Sequence, residues 1–247
     1  MAAASWTPPS TLEERLKRLL IPPRLELKRI TAREFRKGEP ELGLLPYLAD
    51  PARAAIDAGA NRGIWAEALA RICPRVFAYE PNPKLFPLLK AAARGNVECF
   101  AYGLSDADGA ADLLVPGSGR KFSNQGATLN PAKIDGGAHA TARIETRRLD
   151  SLSLPPIGFI KIDVEGHELA VIEGGRALIA RDKPVLIVEI EARHTKQPLS
   201  YSLDHIKALG YRLMFLSAAG LKDENALTED VKGPRGRAIN NFIFLPT

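Results

Sequence analysis

Cysteine and long apolar runs are both scarce in this 247-residue sequence. Its two cysteines, Cys73 and Cys99, are too few for a disulfide framework and lack the paired spacing of a zinc site. No apolar run approaches the roughly 20 residues that span a bilayer. The start of the chain also lacks the charged segment and apolar core of an export signal. We therefore expect a soluble, cytoplasmic protein without disulfides, bound metal or a membrane span.

A consistent excess of one charge is missing as well. The formal net charge is +5, yet basic residues are mixed with acidic ones along the chain. The most basic stretch, from Arg15 to Lys37, is interrupted by Glu26 and Glu34, a pattern typical of a solvated helical face. Nucleic-acid binding is therefore the less favoured interpretation of this stretch.

The N-terminal region has proline on both sides of a short amphipathic stretch. Between Pro9 and Pro22, the leucines of Leu12–Leu20 recur at helical spacing. We predict a helix that covers either a pocket or a dimer face, so a homodimer is one expected assembly. Residues 1–37 are interpreted as an N-terminal helical extension and residues 38–247 as one main domain. A second helical stretch is expected from Leu42 to Pro51.

Beyond Arg53, short apolar runs alternate with helical patterns, which is typical of an α/β protein whose parallel sheet has helices on both faces. The predicted strands are residues 54–56, 76–79, 97–103, 157–163, 185–190, 211–216 and 239–245, and the predicted helices are 64–72, 85–89, 168–180 and 203–209. The polar stretch Ala218–Arg237 fits a hairpin-like connection better than a crossover helix. The last strand should therefore be antiparallel.

This alternation breaks between Ser105 and Asp150. Ala111–Val115 and Ile144–Leu149 are predicted to pair as an inserted hairpin. The Gly/Ser/Asn-rich segment Gly117–Gly137 is predicted to be a mobile loop over the functional site.

An open parallel sheet binds ligands beyond the carboxyl ends of its strands, so the loop after the first strand is the first candidate site. It reads Asp57-Ala-Gly-Ala-Asn-Arg-Gly63, with an acid at the strand end. A dinucleotide loop would read G-x-G-x-x-G and present helix-terminal amides to a pyrophosphate. An acid repels pyrophosphate but suits the ammonium and sulfonium of S-adenosylmethionine, and glycine allows close backbone approach. The alternative role for Asp57 is to cap the next helix.

The second strand ends at Glu80, about 20 residues further on, where a carboxylate can accept hydrogen bonds from both ribose hydroxyls. Dehydrogenases share that feature, so Glu80 by itself indicates only an adenosine. Ser105 and Asp106 follow the third strand and either meet the adenine edge or form a turn. The predicted donor contacts are Asp57, Gly59, Asn61, Gly63, Glu80, Ser105 and Asp106.

Five segments together resemble the FkbM-type methyltransferases. They are Ala55–Gly63, Tyr79–Pro83, Thr146–Asp150, Ile160–Glu168 and Asn241–Pro246. The string Lys161-Ile-Asp-Val-Glu-Gly166 is the most specific part, because unrelated methyltransferases share the glycine loop but not this continuation. The resemblance extends from Gly38 to Pro246, and residues 1–37 lie outside it.

This resemblance implies a Rossmann-like class I methyltransferase fold with a seven-stranded, mostly parallel sheet and an antiparallel last strand. It implies S-adenosylmethionine as the methyl donor and, typically, transfer to a hydroxyl of a sugar, glycolipid or other small metabolite. It assigns donor contacts to Asp57, Gly59 and Glu80, and it leaves the acceptor open.

The fourth strand of this fold ends beside the transferable methyl group. We predict that Asp163 and Glu165 orient donor and acceptor. His167 is the predicted proton acceptor for the hydroxyl, because its unperturbed pKa of about 6.5 suits a base. The alternative is that His167 and Glu168 simply begin the next helix.

Two segments are candidates for the acceptor pocket. Ser123–Asn130 is rich in neutral hydrogen-bonding groups, which suit a polyhydroxylated acceptor but also a flexible linker. Glu189, Glu191 and His194, around the end of the fifth strand, are predicted to form the far wall. The predicted substrate residues are Ser123, Asn124, Glu189 and His194. A magnesium or calcium ion on Asp163, Glu165 and His167 is an alternative that we do not expect.

Other classes fit less well. An RNA ribose 2'-O-methyltransferase has a weak echo in Lys161 and Asp163, but the chain has no basic stripe. A nicotinamide-linked oxidoreductase would need the G-x-G-x-x-G loop and a Tyr-x-x-x-Lys pair. An inactive module that kept the donor fold to bind a partner would not need the acids at Asp57, Glu80 and Asp163.

Overall fold

The computed structural model describes residues 6–118, 121–124, 126–134, 136–228 and 230–247. The α-helices are α1 Leu12–Leu20, α2 Pro23–Lys37, α3 Leu45–Leu48, α4 Ile64–Leu69, α5 Phe86–Ala92, α6 Pro131–Ile134, α7 Glu168–Gly174, α8 Arg176–Asp182, α9 Ala192–Thr195 and α10 Leu199–Lys207. The strands are β1 Ala54–Ala58, β2 Val76–Tyr79, β3 Val97–Phe100, β4 Gly103–Leu104, β5 Gly109–Ser118, β6 Lys121–Phe122, β7 His139–Arg147, β8 Ile157–Ile162, β9 Val185–Glu189, β10 Tyr211–Ser217, β11 Gly220–Asp223 and β12 Asn241–Pro246. Short 3-10 helices occupy Pro40–Leu44, Leu149–Ser151, Glu224–Ala226 and Pro234–Gly236.

Eight of these strands form the main sheet, in the order β3-β2-β1-β8-β9-β12-β10-β11. Strands β3, β2, β1, β8 and β9 are mutually parallel, whereas β12 runs antiparallel between β9 and β10. This confirms the mostly parallel sheet with an antiparallel last strand. The predicted count of seven strands misses β11, which pairs with β10 at the sheet edge. Its residues Lys222 and Asp223 are exposed, so the segment carries no apolar alternation.

The sheet is covered on both faces because its central strands bury alternate residues on opposite sides. On one face, Ile56 of β1 and Ile160 of β8 pack with α7, α8 and α10. On the other face, Ala55 and Phe159 pack with Trp65 of α4. Both strands are therefore buried along their whole length, and their carboxyl ends meet at one edge of the sheet.

Two predicted elements are broken in the structure. The strand predicted over residues 97–103 leaves the main sheet after Phe100, and β4 pairs with β7 instead. The helix predicted over 168–180 divides into α7 and α8. At Gly174, a Cβ atom would lie 1.9 Å from the carbonyl oxygen of Ser105, so only glycine lets the end of α7 approach the β4 turn this closely.

A second, smaller sheet with the order β4-β7-β5-β6 lies beside the carboxyl edge of the main one. Its long antiparallel pair, β5 and β7, is the predicted inserted hairpin and extends from Gly109 opposite Thr146 to Pro116 opposite His139. The segment predicted as a loop also contains β6 and α6. Gly119, Arg120, Gln125 and Asp135, which belong to that predicted loop, lie outside the described residues.

The N-terminal residues pack against helices of the main domain and against the smaller sheet. Helix α2 lies on α4 and α5 and buries Leu27. Further contacts tie this region to the rest of the chain: Glu26 pairs with Arg62 at 2.6 Å, and the Pro9 carbonyl accepts a hydrogen bond of 2.9 Å from Lys84 Nζ. Trp6 meets Phe122 of the smaller sheet edge-on, with ring centroids 5.0 Å apart. Among the helices of the described residues, none combines the length and hydrophobicity that a membrane crossing requires.

The packing at Gly174 gives a stability prediction. Gly174→Ala should lower the free energy of unfolding by about 1–3 kcal/mol, because the added methyl group must displace the Ser105 backbone. Gly43→Ala is the matched control, since a Cβ atom there meets nothing within 4 Å. Chemical denaturation of both variants measures the difference. Equal stability of the two would contradict the tight approach of α7 to the β4 turn.

Candidate functional site

A cavity of about 390 Å³ opens at the carboxyl edge of the main sheet. Its floor is formed by the ends of β1, β2 and β8. Its outer walls are formed by α2, by β5 and by residues 124 and 127–129 between β6 and α6. The polar lining residues are Glu34, Glu39, Asp57, Asn61, Arg62, Glu80, Asn124, Thr128, Asp163, Glu165 and His167. The cavity is therefore rich in carboxylates, as a site for a cationic ligand would be.

The glycine loop between β1 and α4 lets the chain turn sharply under this cavity. Gly59 has a φ of 81°, and a Cβ atom there would lie 1.8 Å from the Asp163 carbonyl oxygen. Asn61 and Gly63 also have positive φ values, of 51° and 89°. These angles cost glycine little, and asparagine tolerates them better than most residues do. The loop backbone therefore packs closely on the end of β8 and leaves the cavity on its other side open.

Asp57 lies at the bottom of this loop and is almost completely buried. Its Oδ2 atom accepts a hydrogen bond of 2.8 Å from the backbone N–H of Ala66 in the first turn of α4. Burial raises the pKa of Asp57 to about 7, although the nearby ammonium of Lys161 and the Ala66 bond act in the opposite direction. The helix-capping role is thus real, and Asp57 also lines the cavity.

Glu80 ends β2 on the other side of the loop. Its Oε2 accepts from the Asn61 N–H at 2.7 Å and its Oε1 from the Asn82 N–H at 2.8 Å. Burial raises the pKa of Glu80 to about 7, against these two bonds. Each carboxylate oxygen keeps further acceptor capacity, since it has two lone pairs. The two hydrogen bonds from backbone N–H groups hold the Glu80 carboxylate in one orientation, so it need not reorient to bind a ligand.

Lys161, near the end of β8, is the buried cation beneath this acid-rich edge. Its side chain is inaccessible to solvent, its Nζ donates to Asn241 Oδ1 at 2.8 Å, and it lies 5.2 Å from the Trp65 ring centroid. Burial alone would lower the pKa of Lys161, but Asp163, Glu39, Glu189 and Asp57 together raise it above its ordinary value. Lys161 therefore stays charged and balances carboxylates from several elements.

The end of β8 changes direction just after Asp163. Glu165 and Gly166 have φ values of 60° and 99°, so the extended geometry stops there. The carboxylate of Glu165 forms an ion pair with Lys133 Nζ, and its Oε2 lies 3.6 Å from His194 Nδ1. Burial raises the pKa of Glu165, while the Lys133 ammonium lowers it. Asp163 and Glu165 both face the cavity.

His167 begins α7, as the structural alternative predicted, and also lines the cavity. Its Nε2 lies 2.9 Å from Ser105 Oγ, which in turn donates to Asp106 Oδ1 at 3.1 Å. Burial lowers the pKa of His167, with Asp106 acting against it. The imidazole is therefore neutral near pH 7 and has one nitrogen able to accept a proton. Glu168 turns back to accept from the Gly166 N–H at 2.7 Å, a structural role.

The structure brings most of the predicted donor residues together. The main cavity is lined by four of them: Asp57, Gly59, Asn61 and Glu80. Gly63 lies just outside it as the residue before α4. Ser105 and Asp106 lie behind His167 and reach the cavity only through its ring.

The predicted substrate residues are more dispersed. Asn124 lines the main cavity, whereas Ser123 lines an adjoining cavity of about 350 Å³ together with Arg62 and Lys84. Glu189 shares a hydrogen bond with Asp163. Burial is the main cause that raises the pKa of Glu189, and the charge of Asp163 raises it further. His194 is buried between Glu165 and Glu191. Glu189 and His194 therefore support the acids of the site from behind and do not form a wall of the main cavity.

Among the residues that the structure describes, no group of three or more His, Cys, Asp or Glu side chains is arranged to hold a metal ion. Glu165 is paired with Lys133, and the ring of His167 is directed to Ser105. Glu165 and His167, two of the three residues that would hold a magnesium or calcium ion with Asp163, are thus directed to different partners.

The sequence patterns missed Glu39 and Trp65. Glu39 precedes a 3-10 helix, and its Oε2 accepts a hydrogen bond of 2.8 Å from Trp65 Nε1. Both residues line the cavity, and burial raises the pKa of Glu39 while Lys161 lowers it. The position of Trp65 in the first turn after the glycine loop was the available signal; nothing local marks Glu39.

Fold and site together define a nucleotide-type pocket at the carboxyl edge of a mostly parallel sheet. The family model of the methyltransferase FkbM domain matches residues 57–215, which is more than half of the chain. The chain therefore belongs to the FkbM methyltransferase family.

Three known proteins are similar to it. The hexuronic acid methyltransferase AglP of Haloferax volcanii is 29% identical over an alignment 167 residues long, which covers 65% of this chain and 65% of that protein. A methyltransferase FkbM from Methylobacillus flagellatus KT has a TM-score of 0.50 and 18% identity, with 78% of this chain and 44% of that chain covered. A TehB-like SAM-dependent methyltransferase from Corynebacterium glutamicum has a TM-score of 0.47 and 13% identity, with 90% and 97% covered. The chain thus spans about 65% of the length of AglP and less than half of the Methylobacillus protein, and that second likeness supports the fold.

The buried charge cluster gives a second prediction. Lys161→Met removes the cation, so the free energy of unfolding should fall by about 3–5 kcal/mol near pH 8. The loss should be smaller near pH 5, because the folded protein then holds Asp57 and its neighbours protonated at little cost. Urea unfolding at both pH values measures this.

Lys222→Met on the exposed edge strand is the matched control and should change stability little. A loss of equal size at both pH values for Lys161→Met would mean that packing, and not charge balance, explains the role of Lys161.

Proposed function

We propose that this protein transfers the methyl group of S-adenosylmethionine to a hydroxyl oxygen of a sugar or sugar-containing metabolite. The observation that carries the proposal is that Asp57 and Glu80, at the ends of adjacent strands, line one cavity with the glycine loop between them. That arrangement suits a ligand with an adenosine at one end and positive charge at the other. Membership of the FkbM methyltransferase family supports the same donor.

The proposed donor pose follows from the lining chemistry. The ribose hydroxyls donate to Glu80, whose oxygens are already oriented by backbone bonds. The adenine lies against the apolar surface of Pro81 and Leu104. Asp57 and Glu39 would hold the ammonium and sulfonium, because opposite charges attract more strongly beside the protein than in bulk water.

The acceptor is proposed to approach from the end of β8. Asp163 and Glu165 face the cavity there, and Asn124 and Thr128 add hydrogen-bonding groups opposite them. Such groups suit a polyhydroxylated molecule. The similarity to a hexuronic acid methyltransferase supports a sugar, and among sugars an acidic one. We favour an acidic sugar as the acceptor on these grounds.

Transfer then forms an oxygen–methyl bond as the sulfur–methyl bond breaks. It needs the acceptor oxygen in line with the methyl group at about 3 Å. The hydroxyl proton goes to a protein base, and the two groups placed to take it are His167 and Glu165. His167 is the first choice, because burial keeps it neutral at working pH.

The donor pose predicts how affinity depends on residue and pH. Asp57→Asn and Glu80→Gln should each weaken S-adenosylmethionine binding by about tenfold or more. Since the pKa of both groups is about 7, affinity should rise between about pH 6 and pH 7.5 as the carboxylates become charged. Each substitution should remove part of that rise.

Isothermal titration calorimetry measures these affinities. Asp112→Asn, an exposed carboxylate on β5, is the matched control and should bind as the unsubstituted protein does. Unchanged affinity in both site variants would reject the donor pose, and tight NAD(H) binding without S-adenosylmethionine affinity would reject the function.

The acceptor class is tested by incubating the protein with labelled donor and a panel of sugar acids, neutral sugars, sugar nucleotides and glycolipids. We expect label on an oxygen of a uronic acid or of a conjugate that contains one, as located by mass spectrometry. Methylation of RNA ribose in place of every sugar would contradict the proposal.

The base assignment predicts that His167→Ala lowers kcat by about 10²-fold or more while donor affinity changes little. Because burial lowers the pKa of His167, kcat measured with saturating donor should persist below the ordinary histidine range as pH falls. Glu165→Gln is the comparison variant in the same rate measurements. A normal rate in His167→Ala with a large loss in Glu165→Gln would transfer the role of base to Glu165.

A further inference from the structure

An apolar face of helix α1 projects into solvent. Its four leucines, Leu12, Leu16, Leu19 and Leu20, are 73%, 50%, 81% and 79% exposed. They recur at helical spacing, so they form one continuous stripe. Leu25 and Phe35 of α2 add further exposed apolar surface to the same N-terminal layer, which we define as residues 12–37. A contiguous apolar surface of this kind marks an interaction site.

The net charge of the protein is concentrated in this same layer. Residues 12–37 contain nine basic and four acidic residues, whereas the remaining residues contain 25 of each. The whole formal charge of +5 therefore belongs to the N-terminal layer. Acidic and basic residues alternate along the whole sequence, so the excess of positive charge in residues 12–37 is not obvious until the two kinds are counted.

Helix α2 separates its two faces clearly. Leu27 and Thr31 are buried against the main domain, and Glu26 pairs with Arg62. The opposite face exposes Lys28, Arg29, Arg33 and Arg36 to solvent. Cationic side chains therefore cover the outer face of α2, the helix that directly follows α1 and its exposed leucines in the chain.

We propose that the N-terminal layer docks on a bilayer that contains anionic phospholipids. The leucines enter the boundary between headgroups and acyl chains, and the basic residues attract the anionic headgroups. A nucleic acid would use the cations but leave the leucines in water. A second copy of the chain would bury the leucines but bring two layers of charge +5 together, which repel each other.

Docking would also set where the reaction takes place. Ile30 and Glu34, on the inner side of α2, line the main cavity, so the layer that contacts the bilayer is also a wall of the site. On the basis of the proposed function, this favours an acceptor sugar that is carried on a membrane lipid over a freely diffusing one.

Vesicle flotation tests the docking without any measurement of activity. Two vesicle types are compared: phosphatidylcholine alone, and phosphatidylcholine with roughly a quarter of phosphatidylglycerol. We expect at least about tenfold stronger binding to the anionic vesicles, and a marked loss when salt is raised from about 0.1 M to about 0.5 M.

The triple variant Leu16→Gln, Leu19→Gln, Leu20→Gln should lose about tenfold or more of this binding. The matched control, Tyr201→Gln with Leu221→Gln, changes exposed apolar residues of α10 and β11 and should bind like the unsubstituted protein. Melting temperature and S-adenosylmethionine binding are measured on both variants. Unchanged values confirm folding, and they separate a failure of docking from a failure of the proposed function.

Three results would overturn the proposal. One is equal or negligible binding to the two vesicle types. Another is full vesicle binding by the triple leucine variant. The third is a stable dimer in light scattering that the leucine substitutions dissociate, which would assign the stripe to a second copy of the chain.

Discussion

The site depends on one buried ammonium group. Lys161 lies without solvent contact near carboxylates from β1, β9, the residue after β8 and the segment before the first 3-10 helix. Several buried acids cannot stay ionised close together unless a cation balances them. Asn241 on β12 and the Trp65 ring on α4 both contact Lys161, so a strand and a helix together fix its position. Asp57 and Glu39 thus share one counter-charge with Asp163 and Glu189.

Close backbone approach is the second constraint, and glycine provides it at two places. Gly59 lets the loop after β1 pass the Asp163 carbonyl, and Gly174 lets α7 pass the Ser105 carbonyl. The first approach brings Asp57 and Asp163 to one edge of the sheet. The second places Ser105 within hydrogen-bonding distance of His167 at the start of α7. Backbone packing therefore shapes the cavity. The same packing determines where the side chains that line it are directed.

The sequence could predict the residues that topology alone brings together. Asp57 and Glu80 follow consecutive strands of a parallel sheet, so a shared site was a geometric consequence of the alternation. Glu39 was not predictable, because it comes from a segment with no strand or helix signal and reaches the site only through tertiary packing. Glu189 was predicted at a wall but lies behind Asp163, since strand periodicity says which face a residue takes and not how far it reaches. Strand β11 escaped prediction because an exposed edge strand needs no apolar pattern.

The raised pKa values show that burial makes Asp57 and Glu80 costly to ionise. Asp57 and Glu80 both have a pKa near 7, so part of their charge is absent until a ligand arrives. A donor with a sulfonium and an ammonium would stabilise the ionised form of Asp57 and be bound by it in return. Methyl transfer converts the sulfonium to a neutral thioether, so the product loses one of those attractions. On the proposed function, the acids therefore favour donor over product, and the same electrostatics that bind the donor promote release after transfer.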